Sequence, residues 1–304
     1  MDNEPKQVKK VISSCCDSSA LSEDTVRHVV RKRYGEIASD GTPSVDLSSS
    51  GLPSTPQEVS EYIGYSRDEL QSIPEEANMG LGCGNPVALA SIQPGEVIVD
   101  LGSGAGIDCF LAAQRTGKIG KVIGIDMTAE MIEKSRALAK QEGYDNVEFR
   151  LGEIEHMPVA DDTADLIISN CVINLSPDKA QVFREAYRVL KPGGRMMISD
   201  IILQEELPDV IKNSVEGLVG CISGAMLKED YIKLIETAEF EDIEIISERY
   251  AAIHSELSEE EKRNGKPKVI AGGKEIDHDF TYEDVDKLTK SIVSIEVLAL
   301  KPVN

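Results

Sequence analysis

Val97-Ile98-Val99-Asp100-Leu101-Gly102-Ser103-Gly104-Ala105-Gly106-Ile107-Asp108 is the stretch on which the fold turns. An apolar run delivers the chain into three glycines spaced by two, and Phe110, Leu111, Ala112 and Ala113 carry it on as a helix. A second apolar run, Val122-Ile123-Gly124-Ile125, closes on Asp126, twenty residues beyond Gly106. Strand, glycine turn, helix, strand and closing acid make a first βαβ unit. Such a unit holds an adenosine-bearing cofactor, its ribose hydroxyls bonded to the acid.

The residues discriminate among such cofactors. A dinucleotide fingerprint places its third glycine one position later, where this chain has Ile107. Asp100 stands at the mouth of the turn, where its charge would repel a pyrophosphate and attract an ammonium group. S-adenosylmethionine carries an ammonium and a sulfonium and no phosphate, so the turn suits that methyl donor. A glycine turn alone is weak, but the flanking strand and helix and Asp126 set it in the required context.

The 304 residues suffice for one main domain and a smaller appendage. The apolar content of 41% is that of a globular chain, with no run long enough to span a membrane. Met1-Asp2-Asn3-Glu4-Pro5-Lys6 lacks the apolar core of a signal peptide, so the expected compartment is the cytoplasm, where thiols stay reduced. A net charge of −22 repels polyanions, which argues against a nucleic-acid substrate and for a small molecule.

Along the chain, Val26, Val29, Val30, Tyr34 and Ile37 recur at helical spacing in the second half of residues 8–38. Ser39 to Pro56 reads as a linker, and Tyr62 to Pro74 holds a short helix capped by Ser66 with Glu69 three residues on. Helices are predicted over Thr128 to Glu142 and from Ser176 or Pro177 to Leu190. Strands are predicted over Val147 to Leu151, Asp165 to Asn170 and Arg195 to Leu203. This alternation means a Rossmann-like, doubly wound, mainly parallel α/β sheet. Beyond it, helices are expected over Leu207 to Val219 and Lys228 to Ala238, strands over Ile243 to Tyr250 and Ser291 to Leu300, and a polar stretch over residues 255–290. The expected division is an N-terminal helical segment and linker (1–70), a cofactor-binding domain (71–203) and a substrate-facing α+β cap (204–304).

Ligands bind beyond the carboxyl ends of parallel strands, where Asp100, Asp126, Glu153 and Asn170 fall. Gly102, Gly104 and Gly106 would let the backbone approach the methionine part of the cofactor. Asp126 would take the ribose, Met127 would pack on the adenine, and Ile154 belongs to the same cofactor site. Glu153 would accept from the adenine amino group, with a solvated loop carboxylate as its bland reading. Asn170 and Ser169 would reach the amino acid end. His156 is a loop histidine without catalytic duty.

Six cysteines stand at 15, 16, 83, 109, 171 and 221. Cys109, among Phe110, Leu111 and Ala112, reads as a small buried hydrophobe. Cys171 directly follows Asn170 at a strand end, where methyltransferases acting on base amino groups carry an Asn-Pro-Pro-aromatic clamp, so a thiol stands where an acceptor belongs. Zinc is disfavoured, because no C-x-x-C pair is present and the four histidines lack ligand spacing. A soft three-coordinate guest held by thiolates is the sharper reading.

Four segments resemble the arsenite S-adenosylmethionine methyltransferases, class I enzymes of that fold. They are Asn78-Met79-Gly80-Leu81-Gly82-Cys83-Gly84-Asn85-Pro86, the turn from Val99 to Gly106, Gly152-Glu153-Ile154-Glu155, and Ser169-Asn170-Cys171-Val172-Ile173-Asn174-Leu175. The resemblance runs from about Val26 to Tyr250. It implies that Cys171 and Cys221 hold arsenic(III) with Cys83 as a third thiolate, and that a thiol reductant, thioredoxin or glutathione, restores the trivalent state. It also implies a further cysteine soon after Tyr34-Gly35-Glu36-Ile37-Ala38, to pair with Cys83. Here Ser39-Asp40-Gly41 follows instead, which leaves Cys15 and Cys16 as substitutes or as a tail pair without a role. The alternative reading is methylation of a small organic acceptor such as a quinone or sterol, with Cys171 and Cys221 as packing residues.

Overall fold

In a computed structural model the described residues are 22–40, 53, 55–207, 222–250, 270–271, 274–275 and 280–303. Cys15, Cys16 and Cys221, all but the first residue of the helix expected over Leu207 to Val219, and most of the expected linker lie outside them.

Five strands, β1 (Val97–Leu101), β2 (Lys121–Asp126), β3 (Val147–Leu151), β4 (Ala164–Asn170) and β5 (Leu190–Leu203), pair in parallel. With β6 (Glu241–Tyr250) and β9 (Ile292–Leu300) they make one seven-stranded sheet in the order β3-β2-β1-β4-β5-β9-β6. A two-stranded ribbon joins β7 (Ile270–Ala271) to β8 (Lys274–Glu275). The central strands are apolar on both faces, as helices on either side require: Ile98, Val99, Leu101, Leu166, Ile167 and Ile168 are all fully buried. The switch in strand order falls between β1 and β4, which opens a crevice at their carboxyl ends.

The helices are α1 (Glu23–Asp40), α2 (Pro56–Ile63), α3 (Arg67–Gln71), α4 (Pro86–Leu89), α5 (Ile107–Thr116), α6 (Ala129–Glu142), α7 (Lys179–Val189), α8 (Lys228–Thr237) and α9 (Tyr282–Ser291). Ser66 caps α3 with Glu69 in a reciprocal capping box, as its sequence implies. The start of α7 falls later than expected, because Asp178 supplies the cap by accepting from the Gln181 amide. No helix among the described residues is long and apolar enough to cross a membrane.

Two features position the site. Helix α1 crosses the carboxyl edge of the sheet: Val30 packs with Leu175, Ile201 and Leu288, and Ile37 packs with Met79, Ala105 and Met131. The described part of residues 204–304 continues the main sheet rather than standing off it, since β9 pairs antiparallel with β5 from Arg195↔Leu300 to Leu203↔Ile292. Helix α9 arises inside the stretch that reads only as polar. Thr281 and Asp284 form its capping box, and Val285 and Leu288 bury its inner face.

Candidate active site

The crevice holds a cavity of about 330 Å³. Its floor is the turn after β1, its sides are Asp126-Met127-Thr128 and Gly152 with Ile154, and α1 roofs it with Arg27, Tyr34 and Ile37. Gly102, Gly104, Asp100, Asp126, Met127, Ile154, Asn170 and Cys171 all line it. Asp126 ties the turn to β2, its Oδ2 accepting from the Gly104 amide at 3.0 Å and its Oδ1 from the Thr128 amide at 2.8 Å.

Gly104 has φ +52°, and a Cβ built there meets no atom within 4 Å, so its backbone faces open space. Gly106 is placed differently. It does not line the cavity, because it caps α5 and its Cα packs against Phe110 and Phe149, where a Cβ would come within 2.8 and 2.9 Å. Glu153 stands outside the cavity lining. Its carboxylate pairs with Arg31 at 2.9 Å and Arg27 at 3.6 Å, drawn to α1 and away from the cavity, while Glu155 faces it and accepts from Ser176 at 2.7 Å. Ser169 is fully buried and does not reach the cavity.

Behind the turn, Asp100 and Asp108 are both buried and both face the cavity. Burial, together with Asp108, holds the Asp100 carboxyl well above its ordinary value. Burial pushes Asp108 up to about 6, against hydrogen bonds from Tyr65 and Asn170. Two buried acids stabilise a cationic guest, and Ser103 Oγ, buried in the turn without a hydrogen-bond partner, offers a further polar contact. These features fit S-adenosylmethionine.

Cys109 is fully buried and its thiol donates to Asp100 at 3.2 Å. Cys109→Ser buries a shorter hydroxyl at a cost of about 1–3 kcal/mol. Calorimetry should show a lowered Tm at wild-type turnover, and loss of turnover at unchanged Tm would contradict this.

Next to the cavity, at the far end of β4, Cys83, Cys171 and Asp200 converge, with their ligand atoms all within 4.8 Å of one another. Cys171 has φ +58°, a conformation rare outside glycine, stabilised by its amide donating to the Ser199 carbonyl at 2.7 Å. Asp200, fully buried on β5, accepts from Asn174 Nδ2 at 2.9 Å, the Ile201 amide at 2.9 Å and the Tyr231 hydroxyl at 3.0 Å. Sequence reasoning missed Asp200, Tyr231, Tyr65 and Asp108. An acid inside the apolar run Met197-Ile198-Ser199-Asp200-Ile201-Ile202 was the available signal for the first.

Burial raises the Asp200 carboxyl from 3.8 to about 7. Between those values the folded chain holds a proton the unfolded chain has released, so this group makes stability fall as pH rises from about 4 to about 7. Asp200→Asn removes that slope. Urea denaturation at pH 5 and pH 8 should show the variant gaining on the wild type as pH rises, and parallel behaviour would contradict the titration.

Residues 92–239 match a family described as a methyltransferase domain. The chain is 46% identical over 230 residues to the arsenite methyltransferase of Halobacterium salinarum, covering 73% of this chain and 59% of that protein. It is 40% identical over 233 residues to that of Aquipseudomonas alcaligenes, covering 74% and 64%. The matches thus span about three fifths of these curated relatives' own length. A solved arsenic(III) S-adenosylmethionine methyltransferase from Chlamydomonas reinhardtii aligns at 30% identity and TM-score 0.58, covering 81% of this chain and 74% of that one.

Sheet order, glycine turn and closing acid define the class, an S-adenosylmethionine-dependent methyltransferase of the doubly wound α/β fold. Within that class, the chain belongs to the arsenite S-adenosylmethionine methyltransferase family.

Proposed function

We propose that this protein transfers methyl groups from S-adenosylmethionine to trivalent arsenic held by the thiolates of Cys83, Cys171 and Cys221. The observation that carries the reading is the convergence of the Cys83 and Cys171 thiols beside the cofactor cavity. Residues 71–203 then bind the cofactor and the segment from residue 204 onward completes the arsenic site.

When bound, S-adenosylmethionine supplies an electrophilic methyl group on a positively charged sulfur. Asp126 accepts the ribose hydroxyls, Met127 and Ile154 flank the adenine, Gly104 leaves room for close approach, and Asp100 with Asp108 stabilises the cationic end. Thiolates are soft ligands matched to a soft trivalent centre. They leave the arsenic lone pair as the nucleophile. Three-coordinate arsenic(III) has no proton to lose, so none of the cavity carboxylates is needed as a base and the contribution of these residues is positioning.

Gaining a methyl cation takes arsenic from the trivalent to the pentavalent state, so each further round needs two electrons. A protein dithiol supplies them by closing to a disulfide, which thioredoxin or glutathione reopens. Cys83 is one member, and its partner is Cys15 or Cys16 or, where that tail pair has no role, Cys171 or Cys221. A thiol-reducing cytoplasm suits this cycle.

The reading is tested by titrating reduced protein with arsenite in a calorimeter. Cys83→Ser and Cys171→Ser should each weaken binding sharply while leaving S-adenosylmethionine affinity unchanged. Undiminished arsenite binding in both variants would favour a small organic acceptor.

A further inference from the structure

Cys83 bears one of the two clustered thiols, yet it lies on a loop between Asn78 and Asn85 without regular secondary structure. Side chains from two distant elements hold its backbone. Asn170 Oδ1, at the end of β4, accepts from the Cys83 amide at 3.0 Å, and its Nδ2 donates to the Gly84 carbonyl at 2.9 Å. Ser294 Oγ, on β9, donates to the Cys83 carbonyl at 2.8 Å. Gly82 permits the approach: its φ is +113°, and a Cβ there would lie 2.8 Å from Asn170 Oδ1.

The Asn170 amide is itself oriented. Its Nδ2 also reaches the Tyr65 oxygen at 2.9 Å and Asp108 Oδ2 at 3.2 Å, and the Tyr65 hydroxyl donates to Asp108 Oδ1 at 2.7 Å. Turning the amide over would set its oxygen against the Gly84 carbonyl and its NH2 against the Cys83 N–H, so the surroundings admit one orientation. Tyr65 is 3% exposed and Ser294 is 7% exposed, and neither lines the cofactor cavity.

We propose that Tyr65 and Ser294 are positioning residues for the arsenic-binding thiol of Cys83, Tyr65 acting through Asn170 and Ser294 directly on the Cys83 carbonyl. This rests on the arsenic reading above. A trivalent centre needs its sulfur ligands at fixed separations, and a thiol on an unrestrained loop would lose conformational freedom when it binds. The two clamps remove that freedom beforehand, which raises affinity without adding a contact to the ligand.

The test is a double-mutant cycle read by calorimetric titration with arsenite, alongside titration with S-adenosylmethionine. Tyr65→Phe and Ser294→Ala should each weaken arsenite binding by about three- to tenfold, the scale of one net hydrogen bond, and Ser294→Ala should do so at wild-type S-adenosylmethionine affinity, whereas Tyr65→Phe also takes a hydrogen bond from Asp108. In the Cys83→Ser background the same changes should have little effect, because their influence runs through Cys83. Differential alkylation should show Cys83 reacting at an altered rate in each variant while Cys171 does not.

The proposal is overturned by undiminished effects in the Cys83→Ser background, or by wild-type arsenite affinity in Ser294→Ala. If Tyr65→Phe fails to fold, the Ser294→Ala arm decides alone. Unchanged arsenite affinity in Cys83→Ser alone also overturns the proposal, whereas unchanged affinity in both Cys83→Ser and Cys171→Ser overturns the arsenic reading, so the two failures are distinct.

Discussion

Replacing Cys171 with serine is expected to abolish the proposed methylation of arsenite, with a loss of more than about a hundredfold, beyond what a change behind the ligands of a metal site causes. A hydroxyl is a hard, weak donor toward a soft centre, and the paired thiol of Cys83 cannot compensate from within 4.8 Å. Serine preserves the backbone at φ +58° and its amide bond to the Ser199 carbonyl, so the fold and cofactor binding persist. Cys221→Ser is expected to behave the same way. Cys83→Ser differs: it fails on inorganic arsenite but retains turnover on a monomethylated arsenical, which offers only two positions to protein thiols. Labelled-methyl incorporation into each arsenical checks all three variants, and an active Cys171→Ser enzyme would remove Cys171 from the site.

The second large effect falls on the cofactor. Asp126→Ala removes the bond that ties the Gly104 amide to β2 at 3.0 Å and, in the proposed reading, the acceptor for the ribose hydroxyls. Losing a hydrogen bond to a charged group costs about 1.5–3 kcal/mol, so S-adenosylmethionine affinity should fall by about ten- to a hundredfold. Calorimetric titration reads this directly. Unchanged affinity would show that the adenosine binds elsewhere.

What the sequence made legible is what local chemistry decides. The βαβ unit from Val97 to Asp126 and the Ser66–Glu69 capping box appear where the residues place them. So do the bounds of β3, because apolar periodicity and caps act over a few residues. Contacts between remote segments were not legible. β9 enters the sheet between β5 and β6, and nothing in Ile292–Leu300 names its neighbours. The ion pairs of Glu153 with Arg27 and Arg31, more than a hundred residues away, were likewise not legible from its position just past β3. The clustering of Cys83 with Cys171 was reached only through a family resemblance, since spacing alone does not bring them together. Asp200 was hidden because an acid in an apolar strand looks like an interruption until Tyr231 and Asn174 are seen to satisfy it.

The most direct measurement follows the labelled methyl group. Reduced, full-length protein is incubated with arsenite, methyl-labelled S-adenosylmethionine and thioredoxin or glutathione, and the products are separated. Label should appear in methylated arsenicals with the wild-type chain and vanish with Cys171→Ser, which still binds the cofactor. A wild-type chain that binds S-adenosylmethionine yet leaves arsenite unlabelled, or labels a quinone instead, would contradict the account.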